Sequence, residues 1–245
     1  MIPRLYCPLP LAAGTTLVLP PEAAHHARDV LRLGPGDEIT LLNGLGGEYR
    51  ARLATADKKQ VSVEILEFRQ RESEPPYPIT VAQSLATGDK MDWVIEKSVE
   101  LGAAAIVPLA AARSVLRLDA ARAAKRAAHW QAIVQAACEQ CGRNRVPTLA
   151  AVTQLLDWLA TQTAAPGLKL MLSPVHAKKF SDLAPPAAGT PITLLIGPEA
   201  GLSDAEEAAA EAAGFTAILL GPRVMRTETA ALAALAAIHG RWGDF

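Results

Sequence analysis

The chain has 245 residues, half of them hydrophobic and a fifth charged, long enough for one large folded domain or two modest ones. Its formal net charge of −1 excludes a globally basic nucleic-acid binder. No apolar run approaches the ~18 residues of a membrane helix, and MIPRLYCPLP lacks the core of a signal peptide, so the expectation is a soluble cytoplasmic protein with no membrane partner.

In chain order, the first pattern is a helix over about 21–33, PEAAHHARDVLRL, stopped by GPGD. Arg28 and Arg32 lie four apart in it, so a continuous helix puts them on one face. Strands follow at EITLLN (38–43), EYRARLA (48–54) and VSVEILE (61–67), separated by the turn-forming GLGG and ADKK. These elements predict a small β-rich domain over 1–72, with a barrel as the way to protect its edges. RESEPPYP, residues 71–78, carries three prolines and reads as the linker, whose core is 73–78.

From 79 to 245 the rhythm becomes strand then helix. ITVAQSLA (79–86), AAIVPLA (104–110), LKLMLSP (168–174), ITLLIGP (192–198) and TAILLGP (216–222) are nearly continuous apolar runs, as in strands covered on both faces. Between them, Met91, Val94, Ile95, Ser98 and Leu101 recur at helical spacing up to Gly102. A long helical pattern spans about 119–142, and Ser203 with Glu206 forms a capping box before a helix closed by Gly214. The last helix starts near Thr227, with Thr227 and Thr229 placed to cap it. The implied fold class is α/β with a parallel sheet.

The long helix carries a charge bias. From Arg113 to Arg145 there are seven cations against two anions, a local excess that suits phosphate. Cys138 and Cys141 form C-x-x-C near the end of this helix, with no second pair to complete a zinc site. They read as ordinary thiols. The five histidines, His176 among them, form no H-E-x-x-H, and no metal is expected.

Ligands of parallel α/β sheets sit beyond the carboxyl ends of the strands. Two such ends repeat apolar-apolar-Gly-Pro, in LIGPEAGLS and LLGPRVMRTET, where glycine admits close backbone approach and proline stiffens the turn. No G-x-x-x-x-G-K-[ST] and no G-x-S-x-G accompanies them. A nicotinamide dehydrogenase lacks its G-x-G-x-x-G after the first strand of this region. Glu199 and Glu228, just after these turns, either complement a helix dipole or face a cationic ligand.

Taken together, LLIGPEAGLS, ILLGPRVMRTETA, ACEQCGRNRVP, HARDVLRLGPGD and the opening IPRLY resemble the bacterial 16S ribosomal RNA uracil-N3 methyltransferases of the SPOUT class, in the family's order. One departure is Ala200, where the family typically carries the first glycine of Gly-Pro-Glu-Gly-Gly; its methyl requires a negative φ. The resemblance implies an N-terminal PUA-like RNA-binding β-barrel and a C-terminal SPOUT domain with a parallel sheet and a trefoil knot. It implies a homodimer that binds S-adenosyl-L-methionine and methylates N3 of one uridine in the decoding region of 16S rRNA, within the small ribosomal subunit.

Carried onto this chain, the resemblance makes the cofactor loops Leu172 onward, Ile196–Gly201 (Ile196, Gly197, Pro198, Glu199 and Gly201), and Leu220–Thr227 (Leu220, Gly221, Val224, Met225 and Thr227). Arg226 then faces the substrate uridine or its phosphate, the plain alternative being a salt bridge with Glu228 or Glu199, and Glu228 is a candidate proton acceptor. RNA contacts are expected from Arg28, Arg32, Arg113, Arg117, Arg143 and Arg145. The competing readings are a SPOUT enzyme acting on a ribose 2′-hydroxyl, and a non-catalytic ribosome-assembly factor.

Overall fold

A computed structural model describes residues 2–116, 118–174 and 177–245, with Ala120 described by its backbone alone. Arg117 and His176, singled out above, lie outside the described residues. The chain divides into two compact units: residues 1–74 with 135–146, and residues 75–134 with 147–245.

The first unit opens with β1 (Arg4–Tyr6), β2 (Thr16–Val18) and a short helix α1 (Pro21–His25). It continues with β3 (Glu38–Leu42), β4 (Glu48–Ala56) and β5 (Val61–Arg69). The five strands form one sheet in the order β1-β3-β4-β5-β2. Alternating residues Ile39, Leu41, Ala51, Leu53, Val61, Val63 and Ile65 converge with Leu5, Ala23 of α1 and Ala27 of the turn that follows it on one core. The two short strands escaped the sequence reading because three residues carry too little alternation to register.

The first helix is shorter than expected. After α1 the chain winds into a π-helical turn, His26–Val30, and Arg32 adopts φ +57° beyond it. Arg28 and Arg32 therefore do not share a helix face, which corrects the expectation from their spacing. Residues 142–146 of GRNR and its flanks also belong to this unit. Arg4 binds Glu48 at 2.6 Å and Asn144 Oδ1 at 2.6 Å, while Arg143 binds Glu74 at 2.5 Å and is itself 3% exposed.

The second unit contains β6 (Ile79–Ser84), α2 (Lys90–Glu100), β7 (Ala103–Ala110) and α3 (Ala120–Cys141), the last turns of which are grouped with the first unit. Then come β8 (Thr148–Leu149), β9 (Thr153–Gln154), α4 (Leu155–Gln162), β10 (Leu168–Leu172) and β11 (Lys178–Lys179). The chain ends with β12 (Ile192–Ile196), α5 (Asp204–Ala212), β13 (Thr216–Leu219) and α6 (Thr227–Trp242). The sheet order is β11-β13-β10-β12-β6-β7-β8, with β9 also on β7, and each pairing is parallel. This is the α/β arrangement that the apolar strand runs implied. Among the described residues no helix is long and apolar enough to cross a membrane.

Two helix ends follow their sequence signals. The α2 stripe Met91, Val94, Ile95 and Ser98 is buried, and Gly102 takes φ +81° immediately after the helix. Ser203 and Glu206 complete a capping box on α5. The last helix differs: its N-cap is Arg226, with no side-chain cap, so neither Thr227 nor Thr229 caps it. Thr227 is turned inward and is 5% exposed.

Candidate active site

Strand register brings the relevant loops together. Leu172 at the end of β10 pairs with Ile196 at the end of β12 on one side and with Ile218 of β13 on the other. The parallel strands thus release three loops from one edge of the sheet, at Ser173, Gly197 and Leu220. Between those loops lies a cavity of about 600 Å³, and beside it a smaller one of about 230 Å³ that shares Leu172, Ser173, Pro174, Val224, Met225 and Ala230 with its lining.

Each of the eleven residues expected around a cofactor lines this pair of cavities. Leu172, Ile196, Gly197, Pro198, Glu199, Gly201, Val224, Met225 and Thr227 border the larger, and Leu220 and Gly221 border the smaller. Ser173, in the loop expected from Leu172 onward, faces the larger cavity, as do Lys90, Leu202, Glu207 and Ala230, which sequence reading missed. Lys90 comes from the start of α2, a segment with no Gly-Pro signal, and Glu207 sits inside α5, where an acidic residue reads as solvated.

A buried relay holds the cavity in shape. The Gln83 side-chain amide donates to Thr227 Oγ1 at 2.8 Å, and Thr227 Oγ1 donates to the Gly197 carbonyl at 2.6 Å. Gln83 is fully buried in β6. A glutamine in the apolar run ITVAQSLA was the available signal, since a buried polar group demands partners. At Gly197 an added Cβ would lie 3.2 Å from both Leu202 Cγ and the Leu202 amide nitrogen, so the bend is already closely packed against the loop that follows. Ala200 sits in the same loop; Arg32 is the one non-glycine with positive φ among the described residues, so the alanine meets its negative-φ requirement.

The charged groups divide by partner. Glu199 accepts from the Thr87 amide at 3.0 Å, the Thr87 hydroxyl at 2.9 Å and Lys90 Nζ at 2.9 Å. Burial alone would raise its carboxyl, but the bonds from Thr87 and Lys90 outweigh it and hold the group at about 2. Glu207 accepts from Ser173 Oγ at 2.7 Å. Glu228 lies 3.9 Å from Lys90 Nζ, and its Oε2 is buried with no hydrogen-bond partner among the described residues. Arg226 borders the cavity, is exposed, and makes neither a hydrogen bond from its side chain nor an ion pair among the described residues. The pairing of Arg226 with Glu199 or Glu228, the plain alternative for this arginine, is not formed: Lys90 occupies that position.

The arginines expected to meet RNA differ in their surroundings. Arg28 is tied to Asp29 at 2.5 Å and to the Asp57 carbonyl at 3.0 Å. Arg113 donates to the Leu202 carbonyl at 2.8 Å, bracing the loop that walls the cavity. Arg145 is 57% exposed at the side chain and lies 3.7 Å from Glu72. Arg143 is corrected: buried and ion-paired to Glu74, its guanidinium is internal and does not present itself to a ligand. The Cys138 thiol is also internal, and burial pushes it up to about 12. Among the described residues no group of three or more histidine, cysteine or acidic side chains is placed to hold a metal ion.

The cavity's chemistry suits a flat apolar ring joined to a cation. Its walls include leucine, isoleucine, valine and methionine with residues of the two Gly-Pro bends, and the carboxylate residues Glu199 and Glu207 border it. An RNA methyltransferase domain family matches residues 73–239, and an RNA methyltransferase PUA domain matches residues 19–66. Ribosomal RNA small subunit methyltransferase E of Bacillus subtilis is 36% identical over 225 residues, covering 89% of this chain and 87% of its own. The solved Neisseria gonorrhoeae ribosomal RNA small subunit methyltransferase E bound to S-adenosyl methionine is 42% identical with a TM-score of 0.91, covering 100% of both chains. A Legionella pneumophila structure with bound SAM is 39% identical with a TM-score of 0.94, again over 100% of both chains.

Proposed function

The chain belongs to the ribosomal RNA small subunit methyltransferase E family, and from that premise we propose that it methylates N3 of one uridine in the decoding region of 16S rRNA, using S-adenosyl-L-methionine. The observation that carries the reading is the pair of adjoining cavities at the ends of β10, β12 and β13. Leu220, Gly221, Val224 and Met225 receive the adenine, and Ile196–Gly201 with Leu172 and Thr227 hold the remainder. Bound there, the cofactor supplies a methyl group on a sulfonium.

The chain's own residues then act on the uridine. Uracil N3 carries a proton and is a weak nucleophile until that proton leaves. Arg226 offers a fork of N–H donors that no neighbour among the described residues takes up, so it holds the uracil as it becomes anionic. Glu228 takes the proton: its Oε2 has no donor, whereas the Glu199 oxygens are committed to Thr87 and Lys90 and are too weakly basic at about 2. Loop walls exclude water and align donor and acceptor, a contribution of several kcal/mol in well-oriented reactions, on the order of 7 or more.

Residues 1–72 serve as the PUA-like RNA-binding domain, joined by 73–78 to the catalytic domain over 79–245, with Arg28, Arg32, Arg113 and Arg145 among the RNA contacts. The enzyme acts in the cytoplasm as a homodimer. The strand order β13-β10-β12, with later strands on either side of β10, supports the trefoil knot that the family resemblance implies. Incubation with small subunits from cells lacking the protein, followed by digestion to nucleosides and mass spectrometry, tests the activity. N3-methyluridine is the expected product; a ribose-methylated nucleoside would assign the other SPOUT chemistry, and an unmodified RNA would leave the assembly-factor reading.

A further inference from the structure

We propose that the N-terminal half of α3 is a phosphate-binding face that grips the backbone of the RNA substrate; the proposal rests on the RNA methylation reading for the identity of that RNA. From Ala120 to Val134 the helix holds Arg122, Lys125 and Arg126 and no acidic residue. Positions 122, 125, 126 and 129 fall on one helical stripe. A helix meant only for solvent interleaves acids with bases at such spacings, because unrelieved like charge is repulsive.

The stripe borders a recess. Arg122, Lys125, Arg126 and His129 line a groove of about 560 Å³ together with Leu116 and Leu118. Asp119 lies 3.4 Å from Arg122, but Lys125 and Arg126 have no ion-pair or side-chain hydrogen-bond partner among the described residues. The helix is fixed from behind. Trp130 is 1% exposed and its indole N–H donates to Asp92 Oδ1 at 2.9 Å, while Asp92 Oδ2 lies 2.8 Å from His129 Nε2. The anchoring carboxylate is thus held by Trp130 and His129, and the two unpaired cations are presented on a rigid support.

The chemistry selects a polyanion. A guanidinium fork and an ammonium beside it match phosphate oxygens, and the leucines offer an apolar edge to sugar rings. Within a chain of net charge −1 the concentration of unpaired cations here gives the field a direction.

The test compares the wild-type chain with K125Q/R126Q and with R122Q/K125Q/R126Q, using a small-subunit RNA fragment over a salt series. A second pair of exposed cations in the same unit, K178Q/K179Q, serves as the control. The triple variant is expected to lose about tenfold in RNA affinity, with a log–log salt slope shallower by about 2, while the control shifts less than about twofold. Melting temperature and S-adenosyl-L-methionine affinity stay at wild-type values in both. Equal RNA affinity and slope in wild type and triple variant would overturn the proposal, as would an equal loss in the control. A wild-type chain that binds RNA through this face yet transfers no methyl would remove the methylation reading and leave this one standing.

Discussion

The Thr227 hydroxyl donates to the Gly197 carbonyl while accepting from the Gln83 amide, at 2.6 and 2.8 Å. Three elements distant in sequence, β6, the bend after β12 and the start of α6, are thereby tied beneath one cavity. Thr227→Val keeps the shape and removes the hydroxyl. It leaves the Gly197 carbonyl without its donor in a buried site, which costs about 1–3 kcal/mol. Urea unfolding reads this as a lowered midpoint, and cofactor titration as weaker binding. Unchanged values of both would show that the relay is incidental.

Gly197→Ala tests how tightly the bend is packed. The added methyl meets the Leu202 amide and side chain at 3.2 Å, so the loop from Pro198 to Leu202 must shift. Cofactor affinity is expected to fall by about tenfold, equivalent to ~1.4 kcal/mol, with the fold retained by circular dichroism.

Arg226→Ala removes the unpaired cation at the cavity. Loss of a single preorganised donor to a developing anion typically costs about 10²–10³ in turnover, and that is the expected fall in kcat. Cofactor affinity should remain within about twofold, because the adenine walls are untouched. Arg226→Lys should recover part of the rate by keeping the charge but not the fork. Equal losses of kcat and cofactor affinity would place Arg226 in cofactor binding.

Acid stability follows from Glu199. Its folded carboxyl is held at about 2, against an ordinary value of 4.5. The sign is that of a depressed acid: its stabilising contribution is whole above 4.5 and is lost as the pH falls toward 2. Wild-type stability should therefore drop more steeply across this window than that of Glu199→Gln. Urea midpoints measured from pH 6 downward provide the comparison, and parallel curves would contradict the assigned bonds from Thr87 and Lys90.

The parallel sheet and its cofactor loops were legible in sequence because both features are local. Five apolar runs marked the central strands, and the Gly-Pro bends marked where they end. What escaped depends on contacts made far along the chain. Gln83 and Glu207 acquire roles only when β6, β10 and α5 meet. The GRNR segment read as surface charge, yet Arg143 folds inward onto Glu74 across 69 residues of sequence. Spacing placed Arg28 and Arg32 on one face, but a π-helical turn followed by a left-handed residue breaks the helix between them. Strands of two or three residues, such as β8 and β11, carry no periodic signal.

Calorimetric titration of S-adenosyl-L-methionine into the wild-type chain and into Gly221→Trp is the sharpest probe of the adenine lobe. Gly221 lines the smaller cavity, its φ is not positive, and a Cβ built there meets no atom nearer than 4.0 Å, so the backbone accepts a side chain, and the bulk of an indole at this position is expected to obstruct the cofactor. Binding of one cofactor per wild-type chain, and a loss of at least tenfold in the variant, is the predicted result, a difference of about 1.4 kcal/mol or more. Absence of binding by the wild-type chain, or equal affinity in the two proteins, would contradict the assignment of this cavity.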